Sequence, residues 1–566
     1  MQSVLNYWKK HNVWILGALV GNITFICIFG VHVLNVTYTD WLLGGGDITQ
    51  NYLGWCFFRN SDWFFPLGLM DNASYPNPVS VIFTDSVPLF AVLFKMLRAV
   101  LPGEFQYFGI WAMLCMGAQG AFGALLIFHY VKKKAEAVVG SLLFVITPIM
   151  LGQMSLNMAL GAQWLILLSL YLGIYRQEMT KKKYMISWGI VGLLAGSIQL
   201  YFVPMCGFIL LSFLLADVIQ RRKYTRDLWA FLSYIGSAVG TVALLGGFSH
   251  KHLPDISLLG QSSFNLNGLL NPQGWSQVLT SLPVYGVNSS EGLAFPGTGI
   301  LLTLAVGTVA WLLHLIYRIF VKRDKESLQI QWSWEENGVA YLVLVVISVL
   351  VAVSPKAAYG SDLIWNLDLP NWLYSLWQRI GSCGRFIWPV VYLVILGSVV
   401  WMEKKMPWET MAAVLLVIFG ILQIYDGKWQ LMQRQVQFGT DFIYESRLED
   451  EKWEEWAEED DLKHMVFVSY MLDDEELMYS LSIYAAQNNM TVNYFNYSCQ
   501  TIRSLAAEHL QEEMNNVQAD TLYIYKAAEE DKCFNPKLAY VVVDGVIVGK
   551  VKYYDTDSKR KSFLLE

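Results

Sequence analysis

The run VWILGALVGNITFICIFGVHVLNV, residues 13–36, decides the fold class. It holds no Asp, Glu, Lys or Arg over 24 positions, and a helix needs about 20 apolar residues to cross a hydrocarbon core. It is too long for the core of a signal peptide, and no small-residue cleavage pattern follows before the polar TYTDWLLGGGD of residues 37–47, so it reads as an uncleaved signal anchor. Outward from it the chain stays greasy. Of 566 residues 55% are hydrophobic and 15% charged, and the mean hydropathy is +0.37, which excludes an ordinary soluble domain and predicts a polytopic α-helical membrane protein.

Charge divides the chain in two. From Asp426 onward there are 27 Asp and Glu against 14 Lys and Arg, a balance of −13 within a total of −7. Residues 1–425 are therefore predicted to form the membrane body, and residues 426–566 a separate soluble domain large enough for its own core. Seven cysteines, at 27, 56, 115, 206, 383, 499 and 533, form no CxxC pair and have no histidine at metal spacing, which argues against a zinc site or a disulfide framework.

Apolar stretches near 13–35, 106–131, 137–153, 156–175, 184–199, 201–219, 228–247, 294–320, 338–354, 385–402 and 407–424 give about 11 predicted transmembrane helices. A further segment, 87–101, carries Lys95 and Arg98 and reaches only about 22 Å as a helix. Basic clusters at Lys9/Lys10, Lys132 to Lys134, Arg176 with Lys181 to Lys183, Arg221 to Lys223, Lys322 to Lys325 and Lys404/Lys405 all fall on one side if 87–101 does not cross. The positive-inside rule then makes 87–101 a juxtamembrane helix with snorkelling cations, and puts the N-terminus in the cytoplasm. Residues 37–105, 248–293, 355–384 and the whole C-terminal domain become extracytoplasmic, so chemistry is expected on the outer face of the cell membrane.

Loop one follows the first span with glycines at 44, 45 and 46 and then Asp47. Glycine lets the backbone turn sharply. Asp47 would then be held at the membrane boundary in partly desolvated surroundings, the setting of a general base. The plainer reading is a Gly–Asp turn whose carboxylate serves neighbouring N–H groups. Asp85 precedes Pro88 and reads first as a helix cap. Loop two, rich in amides and hydroxyls with Asn265, Asn267, Asn271, Gln273, Trp275 and Glu291, suits a sugar, as it would suit any solvated loop; His250 and His252 read as solvated histidines rather than metal ligands. Arg385 opens an otherwise uncharged span. Such a cation needs an anion or the interface, which a lipid-linked phosphate or ordinary headgroups would each provide. Asn157, Gln163, Gln199 and Tyr201 stand at membrane depth, either lining a cavity or bonding between helices.

The tail reads as an acidic helix over 449–463 with Trp453 and Trp456 covering a core, followed by β-α-β-α-β-β, the last two strands joined at Asp544-Gly545. This order predicts a small α/β domain with mostly parallel pairing; it carries no catalytic signature and reads first as a scaffold, with binding an acceptor, guiding a glycan or bracing the outer loops as the roles left open.

GGD and QNY in loop one, PNPVSVIFTDSVPL (76–89), AQWLIL (162–167), FNLNGLLNP (264–272), EGLAFPGTG (291–299) and GRFIWP (384–389) together resemble a little-characterised bacterial family of polytopic membrane proteins that is similar to the GT-C superfamily of glycosyltransferases. That resemblance implies a polyprenyl-phosphate-linked sugar donor, transfer on the outer face with inversion, and an essential acid in the first outer loop just after the first helix, the place Asp47 holds. It also implies juxtamembrane helices in that loop and a basic residue for the donor phosphate, Arg385 by placement, with Lys95 and Arg98 as competitors. Gln50, Asn51, Asp85, Gln163, Asn267 and Glu291 are the expected substrate contacts. The acceptor would be an envelope glycan or glycolipid; membrane lipids are partners and nucleic acid is not. No motif identifies a metal-binding acid, and a cation-dependent variant using Glu291 stays open. A flippase or transporter for lipid-linked glycans, or a non-enzymatic envelope assembly protein, is the alternative. The first would favour an inverted repeat and paired broken helices, for which the junction at Leu200 is the single sequence candidate.

Overall fold

The computed structural model describes residues 2–249, 260–286, 289–320, 337–406, 409–459, 461–469, 474–494, 500–533 and 535–552. Helix α1 covers Gln2–Phe29. Loop one holds helices of its own, α2 (Gly46–Asn60) and α3 (Pro88–Met96), and the short hairpin of β1 (Leu69–Met70) with β2 (Val79–Ser80). The bundle continues through α4 (Phe108–Val131), α5 (Lys134–Val145), α6 (Pro148–Leu156), α7 (Trp164–Ile174), α8 (Lys181–Ile198), α9 (Phe202–Ile219) and α10 (Thr225–Leu244). After loop two come α11 (Thr298–Phe320) and α12 (Gly338–Val353), then the hairpin of β3 (Lys356–Tyr359) with β4 (Asp362–Asn366), and α13 (Asn371–Ile380). Helices α14 (Trp388–Lys405), α15 (Glu409–Asp426) and α16 (Lys428–Gln437) lead to the C-terminal domain.

Helices stand at all the places where apolar runs predict spans. Among the described residues seven helical stretches are long and apolar enough to cross a membrane, or up to nine when two bent pairs each count as one span. The bends are at α5/α6, by 48°, and at α15/α16, by 58°. Pro148 opens α6, where its ring fits the first helical turn and ends the preceding helix. The two remaining predicted spans are α8, which begins on three lysines, and α12, whose 16 residues reach about 24 Å.

In lipid, helices gain little from hydrophobic association, so close backbone approach decides packing. Helix α1 meets α4 through facing glycines: a Cβ on Gly21 would fall 2.0 Å from the Met116 carbonyl oxygen, and one on Gly120 2.2 Å from that of Gly17. Deeper in the bundle Gln119 Nε2 donates to the Tyr392 hydroxyl at 2.8 Å, and that hydroxyl donates to Gln163 Oε1. This chain ties α4, α14 and the start of α7.

Helix α3 has nine residues, about 14 Å, and crosses nothing. Its cation does not snorkel as expected. Lys95 is 1% exposed; its ammonium donates to Ser61 Oγ at 2.8 Å and the Asp62 carbonyl at 3.0 Å, over the rings of Phe58 and Trp63. It braces loop one from within.

In the C-terminal domain α17 (Lys452–Ala457) buries Trp453 and Trp456, as their spacing predicts. Strands β5 (His464–Phe467), β6 (Thr491–Val492), β7 (Thr521–Lys526), β8 (Leu538–Val543) and β9 (Val546–Val551) form one sheet in the order β6-β5-β7-β9-β8, with α18 (Glu475–Gln487) and α19 (Gln500–Asn515) in the connections. The pairing is half parallel rather than mostly so. Strand β5 runs parallel to β6 and β7, whereas the tight turn at Asp544 and Gly545 (φ +42° and +81°) makes β8 and β9 antiparallel and adds β9 antiparallel to β7. Loop one bonds to the edge strand of this sheet: Val492 N–H donates to the Asn72 carbonyl at 2.7 Å, and Tyr75 N–H to the Val492 carbonyl at 2.9 Å. Asn60 Nδ2 donates to the Ala486 carbonyl, and Tyr75 stacks on His464 at 4.3 Å.

Candidate active site

Gly45 and Gly46 turn the chain at φ +94° and +69°, backbone conformations that a side chain would strain. Thr49 Oγ1 stitches the turn, accepting from Gly45 N–H and donating to the Leu42 carbonyl, each at 2.8 Å. Thr49 thus does the local work that the plainer reading gave to Asp47. Asp47 lies in the first turn of α2 and is exposed. Its carboxylate takes no hydrogen bond from the described residues, yet protein crowds around it. Its pKa is pushed up from 3.8 to about 6, by burial first, then by the charge of Asp85 against the pull of Arg385, with Glu291 and Glu475 adding to the rise.

Asp85 is not the N-terminal cap of α3; it is the C-terminal cap residue of the 3-10 turn Val81–Thr84. It adopts φ +55°, and Val87, the residue that precedes α3, adopts φ +49° with no side-chain cap bond. A left-handed β-branched residue is strained and persists only where its surroundings fix it. The strain aims Asp85 at the bundle, where its two oxygens accept from Asn157 Nδ2 at 2.7 Å and Gln199 Nε2 at 2.6 Å. Those amides sit at the ends of α6 and α8. Burial pushes the Asp85 carboxyl up; the Asn157 bond, the charge of Arg385 and the Gln199 bond oppose it.

Arg385 occupies the turn Cys383–Ile387 that opens α14, and is 9% exposed. Its Nε donates to Glu291 Oε2 at 2.7 Å, and Nη2 reaches the same oxygen. The guanidinium lies 4.7 Å over the Tyr201 ring, whose hydroxyl donates to the Ile380 carbonyl at 2.7 Å and accepts from Ser382 N–H at 3.1 Å. Glu291 comes from the turn Ser289–Gly292 ahead of α11. Gly384 N–H donates to the Ser262 carbonyl, so loops two and three close on each other.

Four of the residues picked out in the sequence, Asp47, Asp85, Glu291 and Arg385, therefore form one electrostatic group. Asn157, Gln199 and Tyr201 hold it in place. The other expected contacts stand apart. Arg98 donates to the Ser61 and Arg59 carbonyls, and like Lys95 it serves loop one. Gln163 bonds between helices, and Asn267 Nδ2 donates to the Pro283 carbonyl within loop two. Gln50 is buried on α2, as is Asn51, whose side-chain amide has no hydrogen-bond partner among the described residues. His250 and His252 lie outside the described residues. Among the described residues no three His, Cys, Asp or Glu side chains converge to hold a metal ion.

Sequence reasoning missed Arg434. On α16 it is buried and makes no ion pair among the described residues; its Nε donates to Ser155 Oγ at 2.9 Å, two positions before Asn157, and its guanidinium lies 4.6 Å over Trp275. Only the bend at α15/α16 brings it there, and no residue pattern announces that bend.

These features define a polytopic helical membrane protein with a carboxylate and arginine site where loops one, two and three meet the helix ends. The chain belongs to the family described as Domain of unknown function (DUF6311), whose profile matches residues 18–428; the DUF6311 C-terminal domain matches residues 452–551. No curated protein matches the chain. Among solved structures it is similar to the Archaeoglobus fulgidus oligosaccharyltransferase in the apo form, with TM-score 0.43 and 12% identity over 92% of this chain and 70% of that one. It is also similar to the same protein tethered by a disulfide bond to an acceptor peptide containing the NVT sequon, with TM-score 0.40 and 14% identity over 98% of this chain and 75% of that one.

Proposed function

We propose that the chain is an inverting membrane glycosyltransferase that moves a sugar from a polyprenyl-phosphate-linked donor to a cell-envelope glycan or glycolipid on the outer face. The observation that carries this reading is Asp47: an accessible carboxylate with no hydrogen-bond partner among the described residues, its pKa pushed up to about 6. A general base works best with a pKa near the working pH. In a single displacement Asp47 takes the proton of an acceptor hydroxyl as that oxygen attacks the anomeric carbon, and the bond to the lipid phosphate breaks on the opposite side.

Charge then grows on the departing phosphate. Arg385 is the cation nearest to hand, already carrying one carboxylate, so binding of the donor exchanges Glu291 for phosphate at a planar guanidinium. Arg434 is the competing cation, having no acid partner among the described residues to give up. Asp85 keeps Asp47 protonatable by repulsion and ties the ends of α6 and α8 to loop one. The topology that goes with this reading has eleven spans over residues 1–425, a cytoplasmic N-terminus and an extracytoplasmic domain over 426–566. In support, Asn157, Gln199, Glu291 and Arg385 all stand at helix ends that this topology puts outside.

The test is transfer of radiolabelled sugar from a polyprenyl-phosphate donor by purified protein in lipid. A rise of the rate with pH around a midpoint near 6 supports the reading, and a flat profile from pH 5 to 8 contradicts it.

A further inference from the structure

Loop three carries apolar surface that neither the site nor the bundle uses. Strand β4 is exposed along its whole length, with Ile364 at 53% and Trp365 at 42%, and Leu367 follows it at 51%. A two-stranded hairpin standing alone in water is marginal even with one covered face. Next comes α13, which is amphipathic in an unusual sense. Trp377 and Ile380 pack inward, Trp377 Nε1 donating to the Val351 carbonyl at 3.0 Å at the end of α12. The outward row is Trp372, 70% exposed, then Leu376 and Arg379 at helical spacing.

We infer that β4 and α13 lie on the outer leaflet, with Ile364, Trp365, Trp372 and Leu376 immersed at the boundary between headgroups and acyl chains. The occupant is lipid because of where the segment is tethered. The stretch Cys383–Lys404 is apolar enough to cross a membrane, and only Gly381 and Ser382 separate it from Ile380, a reach of at most about 10 Å. At the other end Leu367 N–H is bonded to the Pro355 carbonyl just beyond α12, whose exposed row of Leu342, Val346 and Leu350 runs straight into the segment. An apolar patch this size otherwise marks an interaction site. Tryptophan and leucine on one face of a short helix, with a cation at its end, suit the interface. The seat has a consequence inward: Ile380, the last residue of α13, receives the Tyr201 hydroxyl under Arg385, so lipid contact at α13 helps to position Arg385.

The test reads lipid contact directly and does not depend on the transfer reading. Ile364→Cys and Trp372→Cys, in full-length protein lacking other reactive cysteines, are labelled with an environment-sensitive fluorophore and reconstituted in vesicles whose lipids are brominated near the top of the acyl chain. An interfacial helix sits about 5–10 Å into that boundary, so both labels should emit to the blue and lose about half their intensity relative to unbrominated vesicles. Val542→Cys, on the exposed face of β8, should do neither. Water-like, unquenched emission at both loop-three positions would overturn the inference, as would equal quenching at position 542.

Discussion

Replacing Asp85 by Asn removes one charge while leaving the hydrogen bonds replaceable. Asn157 Oδ1 is buried without a partner among the described residues, so rotation of that amide lets it accept from the new side-chain NH2, while the new carbonyl still accepts from Gln199. Two charge-assisted bonds become neutral ones, roughly half as strong, and a partly buried charge disappears. The net change in stability should stay within about 1 kcal/mol. The effect on Asp47 is electrostatic. Its carboxyl is raised from 3.8 to about 6. Burial is the largest cause and Asp85 the second, so removing Asp85 should recover only part of the rise. The pH midpoint of transfer should fall, by about 0.5–1 unit. The sign is fixed: a base whose pKa is lowered is deprotonated, and active, further toward acid. Rates of purified Asp85→Asn protein from pH 4.5 to 8 measure it. A midpoint that stays put or moves up, with the variant folded, would show that the two carboxylates do not share a field.

Arg385 pulls in the opposite sense, so Arg385→Gln should raise the same midpoint above that of the wild type. Donor binding should weaken by about tenfold or more, the scale of about 1.4 kcal/mol per decade. Arg434→Gln, measured beside it by titration with a polyprenyl-phosphate sugar, decides which arginine meets the phosphate: the larger loss marks it, and equal affinities for lipid-linked and free sugar in the wild type would contradict both. Gln163→Leu should lower the melting temperature, costing about 1 kcal/mol as the Tyr392 hydroxyl loses its acceptor, without altering the KM for donor. A changed KM would return Gln163 to the substrate. Gly21→Val drives a side chain into the Met116 carbonyl and should prevent recovery of folded protein in mild detergent, whereas Leu19→Val, at an exposed position of the same helix, should be tolerated; normal yield of Gly21→Val would refute the α1/α4 contact.

The membrane body was largely legible because bilayer thickness imposes a length on apolar runs, and each run became helical, the run 137–153 as the bent pair α5 and α6. The Gly44 to Asp47 turn was legible for a related reason: three glycines beside an acid have few backbone explanations. What was not legible depends on strain and on long-range approach. Asp85 read as a cap because Thr-Asp-Ser before Val-Pro has that composition; nothing local foretells a left-handed Asp85 and Val87, which only the Asn157 and Gln199 amides, 72 and 114 residues away, make worthwhile. Lys95 looked like a snorkelling cation because a sequence cannot say that Ser61 and Asp62 wait beneath it. The backbone bonds of residues 72 and 75 to Val492 at the edge of the C-terminal sheet were hidden for the same reason. Bracing of the outer loops was one of three roles the sequence left open for that domain.

The most direct measurement is sugar transfer by Asp47→Asn protein reconstituted in lipid with a radiolabelled polyprenyl-phosphate donor and envelope acceptor. The expected outcome is wild-type donor binding with transfer reduced by at least about a hundredfold, the lower end of what a positioned base contributes. Transfer at the wild-type rate by this variant would remove Asp47 from the chemistry and take the proposed reaction with it.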